Sequence, residues 1–237
     1  VDLDLNKGET LGLVGETGCG KSVTASAILK LIDPPGRIVN GEILFKGENL
    51  LEKTEQEMRK IRGRRIAMIF QDPTTYLNPV YTIGDQVAEV IRQHQKQTSK
   101  ETIRRFTIDA LRLVRMPDPE RVFDRYPHEL STGMRQRAMI AMMLSCRPDI
   151  LIADEATTAL DVTVQAQILN LLETLKVELN LSIIFITHNF GVVARICDKV
   201  AVMYAGTVVE FGSKLDIFDK PLHPYTQAML GAVPKLD

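Results

Sequence analysis

The amino-acid sequence predicts an α/β fold with a mixed or antiparallel N-terminal sheet and an inserted α-helical subdomain. Near the start, an apolar run of strand type at 9–14 leads through a glycine-rich loop into a helical pattern over 22–31. From Ile83 to about Ser145 strand signals are absent, and apolar residues repeat at helical spacing. Strand-type runs return beyond this stretch, at 148–155, 183–187 and 198–204.

The remaining elements follow from alternation and from turn residues. Residues 1–5 alternate apolar and acidic side chains, which predicts an edge strand. Two more strands are expected at 41–45 and 65–70, in a mixed sheet around the glycine-rich loop. A long amphipathic helix is predicted over 162–179, and Gly206 is predicted to close a hairpin with the strand that follows it.

The most specific motif is 15–22, which matches the pattern G-x-x-x-x-G-K-S/T in full. Its glycines let the backbone curl so that N–H groups point at a polyphosphate, and the helix start adds partial positive charge. We therefore expect ATP or GTP here, with Lys21 on the β- and γ-phosphates and Ser22 on Mg²⁺. The nucleotide-binding residues of this loop are Gly15, Glu16, Thr17, Gly18, Cys19, Gly20, Lys21 and Ser22.

Two adjacent carboxylates end the apolar strand at 148–155. Such a pair can hold Mg²⁺ through one acid and polarise an attacking water with the other. Asp154 is the expected metal-side acid, and Glu155 is the expected general base. An isolated Asp-Glu pair is more often an acidic turn after a buried strand, so the phosphate loop upstream favours the catalytic interpretation.

A capped helix is predicted to begin at Ser131, within the segment Leu-Ser-Thr-Gly-Met-Arg-Gln-Arg at 130–137. At this point the whole pattern resembles the ATP-binding cassette (ABC) ATPases, which have a P-loop NTPase core and a Leu-Ser-Gly-Gly signature motif. The resemblance implies that Ser131 and Gly133 close over the γ-phosphate held by a second subunit. It also implies a dimer, as homodimer or heterodimer, with ATP and Mg²⁺ as cofactors.

Three more residues match motif residues of this family, and they occur in the same order along the chain. Gln71 matches the glutamine that touches Mg²⁺ and the attacking water. Asp161 ends the short loop 159–161 that crosses the dimer interface in that family. His188, directly after the strand-type run at 183–187, matches the histidine that contacts the γ-phosphate. Ligands gather at such strand ends in open α/β sheets, which makes the ordered set more informative than any one residue.

A narrower resemblance is to the dipeptide and oligopeptide permease ATPases, carried by 70–73 with 77–79, by 129–137 and by 223–228. It implies ATP-driven import of di- or oligopeptides through integral membrane permeases, supplied by a solute-binding protein, from the cytoplasmic face of the membrane. Importers of nickel, glutathione and some oligosaccharides are similar, so these cargoes stay open. Thr132 and Ala156 depart from the usual Gly and Pro.

The resemblance implies one ABC ATPase domain over 1–237. Its nucleotide-binding α/β core would comprise 1–82 and 146–237, and its helical subdomain, with the signature motif, 83–145. Both ends are expected to be truncated, because the family normally begins with a strand that carries an adenine-stacking aromatic residue. The peptide branch also often extends into a C-terminal cysteine cluster.

Composition agrees with this interpretation. The 237 residues are 45% hydrophobic and carry a net charge of −1, which gives no general attraction to nucleic acid. No apolar run is long enough to span a bilayer, so membrane association is expected to come through a partner. Two alternatives remain: an ABC-type ATPase acting on nucleic acid or ribosomes, and a nucleotide-binding regulatory subunit without turnover. For the first, 62–65 would be the basic patch, although a solvated turn beside a strand is the favoured interpretation of that cluster.

Overall fold

The computed structural model describes residues 1–70, 76–95, 98–157 and 160–232. The chain forms two compact units, the first comprising Val1–Arg59 with Ser182–Asp237 and the second comprising Lys60–Leu181. The functional division predicted from the sequence, into 1–82 with 146–237 and 83–145, has other boundaries and stays a prediction. Among the described residues, none of the helices combines the length and hydropathy required to cross a membrane.

The described residues form eight strands and ten α-helices, with short 3-10 helices at Leu50–Glu52 and Pro127–Glu129. In chain order they are β1 (Thr10–Val14), α1 (Lys21–Ile28), β2 (Leu44–Phe45), β3 (Glu48–Asn49), α2 (Glu55–Ile61), β4 (Ile66–Ile69), α3 (Ile83–His94), α4 (Lys100–Leu113), α5 (Pro119–Phe123), α6 (Thr132–Leu144), β5 (Ile150–Asp154), α7 (Val162–Leu179), β6 (Ser182–Thr187), α8 (Phe190–Ile196), β7 (Lys199–Tyr204), β8 (Thr207–Ser213), α9 (Lys214–Asp219) and α10 (Pro224–Gly231).

The first unit is organised around β1, which pairs in parallel with β6 on one side and with β7 on the other. Every residue of β1 and β6 is buried, as expected for parallel strands covered on both faces. β8 adds to β7 in the antiparallel direction, so the sheet is mixed. The turn between them places Ala205 (φ 46°) and Gly206 (φ 82°) in left-handed backbone, which suits a tight hairpin and confirms the predicted one.

Close packing of α8 on β1 depends on Gly12. A Cβ atom added there would lie 2.8 Å from Cys197 Sγ and 3.1 Å from Val193 Cγ1. Both distances are shorter than ordinary van der Waals contact, so α8 can approach the strand this closely only if position 12 carries no side chain.

Substitution of Gly12 by Val is therefore expected to lower the free energy of unfolding by about 1–3 kcal/mol through overpacking. Chemical denaturation of the purified protein would measure it. Gly231→Ala is the matched control, since a Cβ at that position meets no described atom within 4 Å. Equal stability of the Gly12→Val variant and the parent protein would contradict this account of the packing.

The second unit pairs β4 with β5 in parallel, with Ile66 opposite Ile150 and Ile69 opposite Ala153. Its helices α3 to α6 cover the stretch in which strand signals are absent, as predicted. Side-chain caps start α3, α4, α6 and α7, at Thr82, Ser99, Ser131 and Asp161. The apolar faces of these helices supply the core of the unit, including Ile83, Ile91, Leu111, Met139, Ile140, Ile168 and Leu172.

The α/β class and the mixed sheet are confirmed, but the predicted strand at 1–5 is wrong. These residues are in no strand, and no described residue forms a ladder with them. Alternation predicts only that one side of a segment is buried, whereas a strand also needs a partner for its backbone groups. Here the segment is held instead by a side-chain contact, in which Lys199 Nζ donates to Asp4 Oδ2 at 2.8 Å.

Two other boundaries differ from prediction. The strand expected at 41–45 shortens to β2, which pairs with β3 across Lys46 and Gly47, in a two-stranded sheet separate from that of β1. Helix α1 ends at Ile28 rather than at 31, because Lys30 adopts φ 51°, which a right-handed helix excludes. Ala25 and Leu29 are the buried apolar residues here, while Val23 is 62% exposed.

Candidate functional site

The phosphate loop connects β1 to α1 in the first unit. Gly15, Gly18 and Gly20 all have positive φ angles, of 153°, 84° and 108°. At Gly15 an added Cβ would lie 2.2 Å from the carbonyl oxygen of Met203 in β7. Only glycine fits there, both because of its backbone conformation and because a neighbouring strand approaches so closely.

The Lys21 side chain folds back into this loop and is only 5% exposed. Its Nζ donates to the carbonyl oxygens of Gly15 at 2.7 Å and Glu16 at 2.8 Å, and lies 3.8 Å from Cys19 Sγ. Because two carbonyl dipoles hold the ammonium group, a positive charge is fixed inside the loop. Helix α1 has no side-chain cap and no acidic residue in its first turn, so its positive end also faces the loop.

Other elements of the first unit brace the loop from outside. The backbone N–H of Gly206, in the β7–β8 turn, donates to the carbonyl oxygen of Cys19 at 2.9 Å. The N–H of Glu16 donates to the hydroxyl oxygen of Tyr225 at 3.2 Å. Sequence reasoning missed Tyr225 as a site residue. The segment 223–228 carries the resemblance to the peptide branch, but no local pattern connects Tyr225 to a loop 209 positions away.

His188 lies where the sequence predicts it, directly after β6. Val14, the last residue of β1, pairs with Thr187, so His188 and Gly15 leave the sheet at the same edge. The imidazole is exposed. Contacts of its two neighbours hold the backbone on either side of it: Thr187 Oγ1 accepts from the N–H of Asn189, and the Asn189 side chain caps α8. The predicted contact of His188 with a γ-phosphate stays a prediction.

The two carboxylates of the second unit have different environments. Asp154 ends β5 and is only 6% exposed. Glu155 follows it with φ 47°, in the left-handed region. A non-glycine residue in that conformation costs roughly 1–3 kcal/mol, and such residues concentrate at functional sites. Gln71 lies outside the described residues, although β4 does end beside β5, with Ile69 opposite Ala153.

Helix α6 carries the signature motif and is tied to two neighbouring segments. Ser131 is its N-cap, since its Oγ accepts from the N–H of Met134 at 3.3 Å. An added Cβ at Gly133 would lie 2.9 Å from Val164 Cγ1, so α6 packs closely on the first turn of α7. The buried side chain of Gln136 donates to the carbonyl oxygen of Ala156 at 2.7 Å. The second unit thus joins the signature helix to the segment after Glu155, a role of Gln136 that the sequence did not indicate.

The two departures from the family pattern are accommodated locally. Thr132 is the first residue of α6, and its side chain is exposed. Ala156 is buried and uses its carbonyl group to accept from Gln136.

Asp161, predicted to lie in a loop at the dimer interface, caps α7 by accepting from the N–H of Val164 at 2.9 Å. Ala159 of the same loop lies outside the described residues.

The residues predicted to hold Mg²⁺ provide only oxygen ligands: the Ser22 hydroxyl, the Gln71 amide and the Asp154 carboxylate. Hydroxyl, amide and carboxylate oxygens are the donors that this hard cation prefers. Within the described ranges, no group of three or more His, Cys, Asp and Glu side chains could hold a metal ion. The oxygen donors of Ser22, Gln71 and Asp154 fit Mg²⁺, which is commonly held by one or two protein groups together with substrate phosphates and water.

The basic residues at 62–65 lie in the turn that precedes β4. Arg65 Nε contacts Asp149 Oδ2 at 2.6 Å in an ion pair within the second unit. Gly63 has φ 74°, and an added Cβ would lie 3.0 Å from His94 Nε2. Arg65, one of the three basic residues here, is thus used for an internal contact.

Two family profiles match the chain. One, described as "ABC transporter", covers residues 1–158, and the other, described as "Oligopeptide/dipeptide transporter, C-terminal region", covers 209–237. The second profile includes Tyr225.

Among curated proteins, the chain is 55% identical over 235 residues to "Probable peptide ABC transporter ATP-binding protein y4tR" of Sinorhizobium fredii, covering 99% of the chain and 70% of the relative. It is 53% identical over 238 residues to "Dipeptide transport ATP-binding protein DppD" of Bacillus subtilis, covering 100% and 71%. A solved structure described as the dimeric post-hydrolysis state of the ATP-binding cassette MJ0796, bound to ADP and Pi, matches with a TM-score of 0.78 and 27% identity. That match covers 90% of this chain and 89% of the other.

Proposed function

Since this chain belongs to the ABC transporter family of ATP-binding proteins, we propose that it is the ATPase that drives uptake of di- or oligopeptides through partner permeases. The observation that carries the proposal is the joint match to both profiles, the cassette over 1–158 and the oligopeptide/dipeptide transporter region over 209–237. Named peptide-transport relatives at 53–55% identity over nearly the whole chain support the same cargo class.

In the proposed reaction, Lys21 stabilises the β- and γ-phosphates of ATP. Its ammonium group is already fixed inside the loop by the carbonyl oxygens of Gly15 and Glu16, so little reorganisation is needed when charge develops in the transition state. Glu155 orients the attacking water and accepts its proton, and His188 holds the γ-phosphate. Ser22, Gln71 and Asp154 would hold Mg²⁺, whose charge offsets the negative charge that develops on the phosphates.

A second subunit completes each site. Ser131 and Gly133 at the start of α6 would contact the γ-phosphate held by the partner's phosphate loop, and Asp161 would lie in the segment that crosses the interface. ATP then links two subunits, and its hydrolysis removes the link. This step would be transmitted to the permease through 71–81, in which Val80 and Tyr81 are exposed hydrophobic residues. The subunit would be peripheral, at the cytoplasmic face of the membrane.

Reconstitution tests this function. The chain is purified with the permease subunits that copurify with it from membranes, placed in liposomes with the solute-binding protein, and supplied with MgATP. We expect phosphate release to rise when a di- or oligopeptide is added, and labelled peptide to accumulate across the membrane. Glutathione, a nickel salt and an oligosaccharide are added in parallel. Stimulation by one of these and not by peptides would overturn the cargo assignment.

A further inference from the structure

We propose that Tyr225 is a positioning residue of the phosphate loop and that, through it, the C-terminal segment 222–231 responds to bound nucleotide. This proposal rests on the proposed ATPase function and adds to it a residue and a segment outside the cassette motifs. All of the contacts that carry it lie within the first unit.

The contacts meet at one peptide group, the one that joins Gly15 to Glu16. Its N–H donates to the Tyr225 hydroxyl oxygen at 3.2 Å, and its carbonyl oxygen accepts from Lys21 Nζ at 2.7 Å. A peptide group is planar and rigid, so fixing its N–H also fixes the direction of its carbonyl. Tyr225 therefore sets the orientation of a group that holds the phosphate-binding lysine.

The same peptide group lets the Tyr225 hydrogen bond affect the strength of the Lys21 hydrogen bond. A peptide whose N–H donates a hydrogen bond becomes a better acceptor at its carbonyl, because linked hydrogen bonds polarise one another. Burial raises the pKa of Tyr225 above its usual value, and the nearby Glu16, Cys19 and Tyr204 act in the same direction, while the hydrogen bond from Glu16 opposes them. The phenol thus stays protonated and neutral at physiological pH.

Glu210 of β8 fixes the start of the C-terminal segment. Its Oε1 accepts from the N–H of Leu222 at 2.7 Å, and its Oε2 accepts from that of His223 at 3.1 Å. His223 in turn caps α10, since its Nδ1 accepts from the N–H of Tyr225 at 3.2 Å. The position of the Tyr225 ring therefore depends on a chain of contacts that begins in the sheet.

The pKa of Glu210 agrees with this anchoring role. Burial acts to raise it, but the hydrogen bonds from the N–H groups of Leu222 and His223 act to lower it, and the pKa falls below its usual value. A carboxylate with a lowered pKa stabilises the fold above its unfolded-state pKa, and that contribution is lost as the pH falls through its folded-state pKa. The anchor is therefore complete at neutral pH.

Among these connected residues, Lys21 is the one that would contact bound nucleotide. A triphosphate binds the ammonium group that the Gly15 carbonyl already holds, so the Tyr225 contact favours nucleotide binding by keeping that carbonyl, and with it the lysine, in place. If nucleotide changes how firmly 222–231 is held, then the segment changes nucleotide affinity by the same factor, because coupling between two sites is reciprocal.

Tyr225→Phe tests the proposal, because it removes one hydroxyl and keeps the ring. Loss of one hydrogen bond predicts a rise of about three- to tenfold in the KM for ATP, with kcat changed less than twofold and the thermal midpoint lowered by about 4 °C at most. Tyr204→Phe is the matched control. Its ring is 4.7 Å from that of Tyr225, and its hydroxyl has no hydrogen-bond partner among the described residues. It should leave the KM unaltered.

A second readout does not depend on turnover. Amide hydrogen exchange at 224–231 should slow when MgATP binds the parent protein, and this difference should disappear in Tyr225→Phe. Equal KM values for the two Phe variants, together with exchange at 224–231 that nucleotide does not change, would overturn the proposal. Absence of ATP binding or hydrolysis by the parent protein is a different result, because it would reject the proposed function itself.

Discussion

Replacement of Glu155 by Gln is expected to reduce ATP turnover by about 10²–10⁴-fold, the usual contribution of a general base. The amide keeps the size of the side chain and its hydrogen-bonding reach, but it cannot accept the proton of the attacking water. Nucleotide affinity should be retained, since the phosphate loop and Lys21 are untouched. Phosphate release under saturating MgATP measures turnover, and equilibrium binding of a fluorescent ATP analogue measures affinity.

Glu178→Gln is the matched control, because Glu178 is an exposed glutamate on α7 of the same unit. It should hydrolyse ATP at the parent rate. Gln at position 155 would keep the left-handed backbone, so we do not expect a change in folding that could itself lower ATP turnover. Hydrolysis at the parent rate by Glu155→Gln would show that another group accepts the proton.

Replacement of Lys21 by Ala has the second large expected effect, a loss of about 10²–10³-fold in kcat/KM for ATP. The lysine places a full positive charge where the phosphates would lie, and no neighbouring side chain in the loop, Glu16 to Ser22, could replace that charge. Affinity for ATP should fall as well, in contrast to Glu155→Gln. Steady-state kinetics over a range of ATP concentrations, with direct binding measurements, separates the two effects.

The stability of the Lys21→Ala protein distinguishes a functional role from a structural one. Burial of an ammonium group is unfavourable for folding, although the Gly15 and Glu16 carbonyls compensate for it in part. The thermal midpoint should therefore stay close to that of the parent. Lys7→Ala, in the exposed turn before β1, is the control for loss of a charge in the same unit. Normal kinetics in the Lys21→Ala variant would contradict the assignment of the phosphate loop.

Local signals in the sequence predicted many element boundaries well. Helix α7 spans Val162–Leu179 as expected, because Asp161 caps its start and Asn180, with φ 51°, ends it. The β7–β8 hairpin was predictable in the same way, from the glycine at 206. The strand expected at 1–5 failed because its pattern contained no information about a pairing partner.

The same distinction between local patterns and tertiary contacts holds for the candidate site. Motif spacing predicted that the phosphate loop would join a strand to a helix and that His188 would follow a strand, and register places both at one edge of the sheet. It could not predict the left-handed backbone of Glu155, the Gln136–Ala156 hydrogen bond or the Tyr225–Glu16 contact. Each depends on tertiary packing between segments that are distant in sequence or on a conformation that the residue type does not favour.

Whether ATP joins two copies of this chain can be measured as the mass of the Glu155→Gln protein in solution with saturating MgATP. Light scattering should report about 26.5 kDa without nucleotide and twice that mass with it, because two subunits enclose the triphosphates. Adding Ser131→Asp should restore the monomer, since aspartate still caps α6 but sets a carboxylate against the γ-phosphate. A mass that stays at that of one chain while ATP is bound would show that nucleotide does not join two subunits.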